Sequence, residues 1–177
     1  MKTLPAMKSL GDLSERLPAV VIDTREQDPL PVRRLPVIRA GLYTGDYSVA
    51  GLEGLVAIER KSIPDLVSCC ASSNRERFEH ELHRLRGFRF RRLLVIGTRQ
   101  EIEAGAYRSS VRPAAVLGTL SAFEVRYDCP VVFADDPAAG AALVERWAWY
   151  AAREHVEAAN GLLRGTQKTE ANNEGKT

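Results

Sequence analysis

The sequence predicts a three-layer α/β/α sandwich with a central mixed sheet, and three observations point to this fold class. Short apolar runs rich in β-branched residues alternate along the chain with helical patterns, in which apolar side chains recur every three or four positions. Two of the runs are separated only by a glycine-containing turn, which predicts an antiparallel hairpin within the sheet. The chain has 177 residues, 45% of them hydrophobic, and this suits a single domain with a substantial core.

Three β segments are predicted in the first third of the chain, after an N-terminal extension over residues 1–18. They are a buried strand over 19–24, an edge segment over 32–39, and a hairpin in which 46–51 pairs with 54–61. The edge position follows from Pro31 and Pro36, because proline cannot donate a hydrogen bond within a sheet. Gly51 and Gly54 lie between the two arms of the hairpin.

The rest of the chain is predicted to alternate helices with two further strands. Ser62 followed three residues later by Asp65 is typical of a helix start. In the next helix Phe78, Leu82 and Leu85 have the i, i+4, i+7 spacing of a side that packs on the sheet. The remaining elements are predicted as strand 93–97, a short helix over 100–106, helix 113–127, strand 130–134, helix 137–158 and a disordered tail over 161–177.

Composition excludes several classes of function. The net charge of +2 does not indicate nucleic-acid binding, so any basic surface must be local. No apolar run approaches the ~20 residues that span a bilayer, and the N-terminus lacks the apolar core of a signal peptide. We therefore expect a cytoplasmic protein that does not associate with a membrane. The absence of G-x-x-x-x-G-K-[ST] and G-x-G-x-x-G motifs argues against a nucleotide cofactor. Cys69, Cys70 and Cys129 are too few for a disulfide framework and are expected to be buried thiols.

The candidate site lies in the hairpin. Glu59 and Lys61 are alternate residues of one strand and share a face, and Asp46 on the partner strand can face them. Carboxylates hold a hard divalent cation such as Mg²⁺ (or Mn²⁺), and the cation polarises a phosphate and lowers the pKa of its bound water. Lysine is a compact charge that can orient this water or balance developing negative charge. The set predicts metal-assisted phosphodiester cleavage, with Asp46 and Glu59 as metal ligands.

Five further residues are candidates near this site. Asp23 closes the first strand and is predicted to be a further catalytic carboxylate and metal ligand. Glu26 either assists it or is an exposed loop acid, and Arg25 either contacts phosphate or pairs with a site acid. Strand alternation points Arg60 away from the cation, so a DNA contact and a structural ion pair are both open. Asp65 either supports the catalytic motif or only caps the helix.

Positive charge is concentrated in one segment, where residues 75–92 contain seven arginines against three glutamates. The candidates for DNA binding are the arginines of the predicted helix and its end, Arg75, Arg77, Arg84 and Arg86. One interpretation is a solvated helix with ion pairs four residues apart, such as Arg75–Glu79 and Arg77–Glu81. The other is a phosphate-contacting surface that leads to the site.

These motif blocks resemble a known family. GDY at 45–47, IERKS at 58–62 and DL at 65–66 are similar to the nuclease motif of the XPF-type structure-specific endonucleases. The segment VVIDTRE at 20–26 resembles the opening of the same domain. Downstream, Arg77-Phe78, the helix through Leu85 and the strand at 93–96 follow the family's helix and next strand. The resemblance covers residues 19–150.

The resemblance implies a restriction-endonuclease-like fold and a metal-dependent DNA endonuclease, with the nuclease domain spanning 19–160. It implies branched or flapped DNA as substrate, in repair or recombination, and Arg77 as the arginine of the family's motif. It also implies a homodimer or a heteromeric protein partner, because members of the family dimerise through this domain.

The chain departs from the family in one respect. XPF-type enzymes usually carry a tandem helix-hairpin-helix domain after the nuclease domain, and too little sequence follows the last predicted helix for one. Two alternatives therefore stand beside the enzyme: a non-catalytic DNA-binding or dimerisation subunit, and a nuclease subunit recruited by a separate DNA-recognising partner. The complete set of Asp46, Glu59 and Lys61 argues against the non-catalytic alternative.

Overall fold

Six strands form one mixed sheet at the centre of the protein. A computed structural model describes residues 17–174 of the chain, without the side chains of 72, 73 and 165–174. The strands lie in the order β2-β1-β3-β4-β5-β6. Their bounds are β1 Val20–Asp23, β2 Val37–Ala40, β3 Tyr47–Val49, β4 Val56–Ser62, β5 Phe90–Ile96 and β6 Val131–Ala134. Residues 1–16 of the predicted extension and 175–177 of the predicted tail lie outside the described residues.

Strand directions bring the candidate residues to one edge of the sheet. β1 is parallel to β2 and antiparallel to β3, and β3 is antiparallel to β4. The carboxyl ends of β1 and β4 therefore lie at the same edge as the amino end of β3. Backbone hydrogen bonds fix this arrangement, because the Asp23 amide donates to the Asp46 carbonyl at 2.9 Å and the Asp46 amide donates to the Ile58 carbonyl at 2.8 Å.

Helices cover both faces of the sheet. The helices are α1 Ile63–Cys70, α2 Ser72–Leu85, α3 Arg99–Glu103, α4 Pro113–Tyr127 and α5 Pro137–Glu174. One core lies beneath α1 to α4, where Phe78 and Phe123 pack with Leu93 of the sheet. A second core lies on the opposite face, where Val144 of α5 packs with Ile58. The predicted three-layer α/β/α sandwich with a mixed sheet is confirmed.

The individual elements follow the predicted order. Phe78, Leu82 and Leu85 are all fully buried, as the helical spacing predicted. The segment expected at an edge forms β2, which is the border strand of the sheet and is largely exposed. The predicted strand over 93–97 begins three residues earlier, because Phe90 packs against Trp147 of α5 and extends the pairing with β4.

The largest difference from the sequence prediction is at the carboxyl end. The last helix was predicted to end near residue 158 and to be followed by a disordered tail over 161–177, whereas α5 continues through Glu174. The added stretch contains no proline, and its alanine, leucine, arginine, lysine, glutamine and glutamate residues favour a helix, whereas its glycines, asparagines and threonines do not. Continuing an existing helix also needs no new nucleation step. The limit of the domain at residue 160 stays a prediction.

Two further observations concern the cysteines and the possibility of a membrane span. Cys69 and Cys129 are buried free thiols, as predicted, and Cys70 is partly buried. None of the helices in the described part of the chain combines the length and apolarity needed to cross a membrane.

Candidate active site

The hairpin positions the acids through a tight turn into β3. Gly45 has a positive φ of 82°, and a Cβ at this position would lie 3.0 Å from the carbonyl oxygen of Ile58. Glycine is therefore needed both for the backbone conformation and for the close approach to β4. The consequence is that Asp46 is held directly beside the strand that carries Glu59 and Lys61.

Asp46 is a partly buried carboxylate whose ionisation is unfavourable. Its Oδ2 accepts a hydrogen bond from the Arg60 amide at 2.7 Å. Burial raises the pKa of Asp46 to about 6, although the Arg60 amide and the charge of Lys61 act in the opposite direction. A carboxylate of this kind is stabilised by a cation that enters the site.

Glu59 is a fully buried acid, with 1% of its surface exposed. Its Oε1 contacts the ammonium of Lys61, whereas its buried Oε2 has no hydrogen-bond partner among the described residues. Burial, and then the negative charge of Asp46, raise the pKa of Glu59 well above its usual value. Buried polar atoms are almost always paired, so the unpaired Oε2 makes Glu59 a candidate cation ligand.

Lys61 lies between two acids and an aromatic ring. Its Nζ contacts Glu59, lies 4.0 Å from Oε2 of Glu81, and lies 5.1 Å from the centre of the Phe78 ring. Burial lowers the pKa of Lys61, but the charges of Glu59, Glu81 and Asp46 outweigh it and the pKa is raised. Lys61 therefore stays protonated and acts as a fixed positive charge.

A cavity of about 330 Å³ opens over these side chains at the edge of the sheet, and we call it the site cavity. Seven of the residues predicted from sequence line it, namely Arg25, Glu26, Asp46, Arg60, Lys61, Asp65 and Arg77. Glu59 lies beneath it and meets it through Lys61. The structure thus gathers the residues from β1, the hairpin, α1 and α2 at one place.

Asp23 is engaged elsewhere. Its carboxylate accepts from the Nε and backbone amide of Arg25 at 2.7 and 2.8 Å, and from the amide of Leu42 at 2.5 Å. The hydrogen bond from the Arg25 side chain is the main cause that lowers the pKa of Asp23 to about 2. The lining of the site cavity does not include Asp23. Its role as a metal ligand stays a prediction, while its visible role is to hold Arg25 and the loop at Leu42.

Of the two roles left open for Arg60, a DNA contact and a structural ion pair, the structure shows the ion pair. Its guanidinium lies 3.9 Å from Glu26 and 3.3 Å from Asp28. Glu26 is itself mostly buried and lines the site cavity, so it is not an exposed loop acid. Arg60 also keeps a buried Nε without a partner at the cavity wall.

Asp65 caps α1. Its amide donates to Oγ of Ser62 at 3.2 Å, and the Ser62 hydroxyl donates to Oδ2 of Asp65 at 2.6 Å. Asp65 is exposed and also lines the site cavity. The helix-cap interpretation is therefore what the contacts show, and participation in catalysis stays a prediction.

The arginines of α2 separate into two groups. Arg75 pairs with Glu79 at 2.8 Å, as predicted, and its guanidinium lies over the ring of Phe123, so it packs toward α4. Arg77 and Arg84 line an open groove of about 830 Å³ together with Glu76, His80 and His83. Arg86, at the end of α2, is exposed.

The groove adjoins the site cavity, because Arg77 lines both. Arg84 donates from Nε to Oγ1 of Thr44 at 3.1 Å, which places it close to the turn before Asp46. The predicted Arg77–Glu81 ion pair is not formed within the described residues. Glu81 points toward Lys61, and Arg77 remains available to a phosphate.

Glu81 and Asn74 are site residues that the sequence analysis did not identify. Both line the site cavity with Phe78. The signal was present in the spacing, because 74, 78 and 81 follow the i, i+4, i+7 pattern of one helix face. That face was assigned to packing because Phe78 is apolar.

The residues fit a divalent cation that is held by few protein ligands. Within the part of the chain that the structure describes, no group of three or more acids, histidines or cysteines converges closely enough to form a complete metal cage. Mg²⁺ is usually bound through one or two carboxylates, with waters and substrate phosphates as its other ligands. Asp46 and the unpaired Oε2 of Glu59 meet this requirement.

Comparisons with known proteins agree with this geometry. A model of the ERCC4 domain family matches residues 22–146. The structure of XPF from Aeropyrum pernix is 22% identical and has a TM-score of 0.63, and the match covers 85% of this chain and 73% of that chain. The structure of XPF from Aeropyrum pernix in complex with DNA is also 22% identical with a TM-score of 0.63, and covers 77% of this chain and 66% of that chain.

A search of curated proteins gave no match. The similar structures confirm the predicted restriction-endonuclease-like fold, and the family match confirms the resemblance based on the hairpin motif. The match covers the whole site, from β1 to the first part of α5.

Proposed function

The chain belongs to the ERCC4 domain family, and from this membership and its buried acid–lysine site we propose that it is a metal-dependent DNA endonuclease that hydrolyses phosphodiester bonds. The observation that carries the proposal is Glu59. A buried carboxylate with a raised pKa and an unpaired oxygen is costly in a purely structural role, because a charge in the interior needs compensation. A bound cation supplies that compensation.

We assign Mg²⁺ or Mn²⁺ to Asp46 and Glu59, with water and DNA phosphate as the other ligands. When bound, such a cation polarises the phosphate and makes its bound water more acidic. Asp23 would have to give up hydrogen bonds from Arg25 or Leu42 before it could join these ligands, so we place it in a supporting position.

The chain's own residues provide charge and orientation. Lys61 reaches the site cavity with a permanently protonated ammonium, so it can orient the attacking water or stabilise the negative charge that develops on the phosphate. It cannot serve as the base. Asp46 is fixed by the Arg60 amide, and Arg25 and Arg77 present guanidinium groups to phosphates at the cavity wall.

We propose branched or flapped DNA as the substrate class, with a role in repair or recombination. The basic groove beside the site cavity supports a DNA partner, because Arg77 and Arg84 extend positive charge away from the catalytic residues. The DNA in the similar XPF structure from Aeropyrum pernix supports the same partner. Assembly as a homodimer or with a heteromeric protein partner stays a prediction.

Cleavage of labelled DNA tests the proposal. A 3′-flap, a fork and a plain duplex would each be incubated with the protein in Mg²⁺, Mn²⁺ or EDTA, beside the Asp46→Asn variant. We expect metal-dependent cutting that the variant lacks, with the branched substrates cut faster than the duplex. If well-folded protein bound DNA and cut none of the substrates in either metal, the non-catalytic alternative would replace the enzyme.

A further inference from the structure

The ammonium of Lys61 has a second acidic neighbour that the proposed mechanism does not use. Glu81 of α2 lies 4.0 Å from Nζ, and its side chain is about three-quarters buried. We propose that Glu81 is a positioning residue that keeps Lys61 directed into the site cavity once a divalent cation has engaged Glu59. This inference rests on the proposed function, because it requires a cation at Glu59.

Glu81 is placed for this role by α2 itself. It lies one turn after Phe78, and Phe78 is anchored in the core and offers its ring face to Lys61. Because α2 and β4 both pack on the same core, the distance between Glu81 and Lys61 is set by the fold and not by a mobile loop. Glu81 also lines the site cavity, so it meets Lys61 on the open side.

The need for a second acid follows from charge. Without a cation, Lys61 and Glu59 neutralise each other through their direct contact. A divalent cation on Glu59 competes for the same carboxylate and repels the ammonium. Lysine has a flexible four-carbon side chain, so an ammonium with no other partner would turn toward solvent. Glu81 and the face of Phe78 hold it on the side of the site cavity.

Direct ligation of the cation by Glu81 is the competing role, and the described structure favours positioning. Glu81 belongs to no metal-holding group of three acids among the described residues. Its ion pair is with Lys61, which would lie between it and a cation on Glu59. The two roles predict different results, because a ligand affects cation affinity and a positioning residue affects Lys61.

The first test follows the Lys61 ammonium by NMR while Mg²⁺ is added to DNA-free protein. The variants are Glu81→Gln, which keeps the size of the side chain, and Glu53→Gln as a matched control. Glu53 is exposed in the turn between β3 and β4, at the opposite end of these strands from the site cavity. We expect the Lys61 signal to persist in the wild type and the control, and to be lost to solvent exchange on cation binding in Glu81→Gln.

The second test measures cleavage at saturating Mg²⁺. Glu81→Gln should lower kcat by about tenfold, less than the loss of a group that itself stabilises the transition state. The Mg²⁺ concentration that gives half the maximal rate should stay unchanged, and Glu81→Asp should recover part of kcat. In a Lys61→Met background Glu81→Gln should have no further effect, because the two residues act as one unit.

The outcomes separate the two proposals. If the wild type binds no divalent cation, both are overturned. If it binds the cation but Glu81→Gln retains the Lys61 signal and normal kcat, only the positioning role is overturned. Weaker Mg²⁺ binding by Glu81→Gln, with or without Lys61, would make Glu81 a ligand and also overturn the positioning role.

Discussion

At the scale of single residues, the site is a buried concentration of negative charge that one lysine does not fully balance. Burial raises the pKa of both Asp46 and Glu59, and the negative charge of Asp46 raises the pKa of Glu59 further. Such an arrangement costs stability in the absence of a ligand. It is also what a cation site requires, because the binding of the cation relieves the cost.

Asp46→Asn should therefore stabilise the cation-free protein at neutral pH by about 3 kcal/mol, because burial raises the pKa of Asp46 to about 6 in the folded protein. The folded pKa of about 6 lies above the unfolded value, so the contribution of Asp46 to stability is complete below pH 4 and is lost as the pH rises through about 6. Thermal unfolding in EDTA at pH 4 and pH 7 measures the effect. Equal melting temperatures for both proteins at pH 7 would show that the charge of Asp46 carries no such cost.

The charge of Asp23 has the opposite effect on stability, because it stabilises the folded protein. Arg25 holds its pKa at about 2, below the unfolded value, so its ionised form stabilises the fold above pH 4 and this contribution is lost as the pH falls through about 2. Asp23→Asn should cost about 2 kcal/mol at pH 7, which is the usual value of charged hydrogen bonds. Chemical denaturation measures it, with Asp135→Asn as an exposed control. Calorimetric Mg²⁺ affinity of the same variant decides whether Asp23 is also a ligand, because a ligand's loss would weaken binding.

At the scale of elements, α2 shows which contacts of a helix can be predicted from sequence and which cannot. Its sheet-facing side was predictable because Phe78, Leu82 and Leu85 repeat with the helical period. The ion pairing was only half predictable. Arg75–Glu79 forms within the helix, but Glu81 meets Lys61 of β4, and a contact between elements distant in sequence leaves no local pattern.

The groove along α2 gives the prediction that belongs to this scale. Arg84→Gln should weaken binding of a DNA fork and lower the salt dependence of the binding constant by about one released counterion, if one phosphate contact is lost. Arg153→Gln on α5, on the opposite face of the sheet, is the matched control. Fluorescence anisotropy at several salt concentrations measures both. Identical slopes for Arg84→Gln and wild type would assign the α2 arginines to a solvated surface.

At the scale of the whole molecule, sheet topology explains why residues from distant segments meet. The carboxyl ends of β1 and β4 and the amino end of β3 share one edge, and α2 crosses beside it. The fold class and the hairpin could be predicted because hydrophobic periodicity and the motif are local. The hydrogen bond from the Leu42 amide to Asp23 could not, because Leu42 reaches Asp23 through a loop whose path depends on the pairing of β1 with β2.

The most direct test of the central claim is the single-turnover cleavage rate of a flapped DNA at saturating Mg²⁺ by Glu59→Gln. Glu53→Gln serves as the control for an exposed acid in the turn between β3 and β4, away from the site cavity. We predict that Glu59→Gln lowers the rate at least about a hundredfold, as expected when a group essential to charge stabilisation is lost, while Glu53→Gln cuts like the wild type. Cleavage by folded Glu59→Gln at the wild-type rate would show that the buried acid–lysine site is not where this protein cuts DNA.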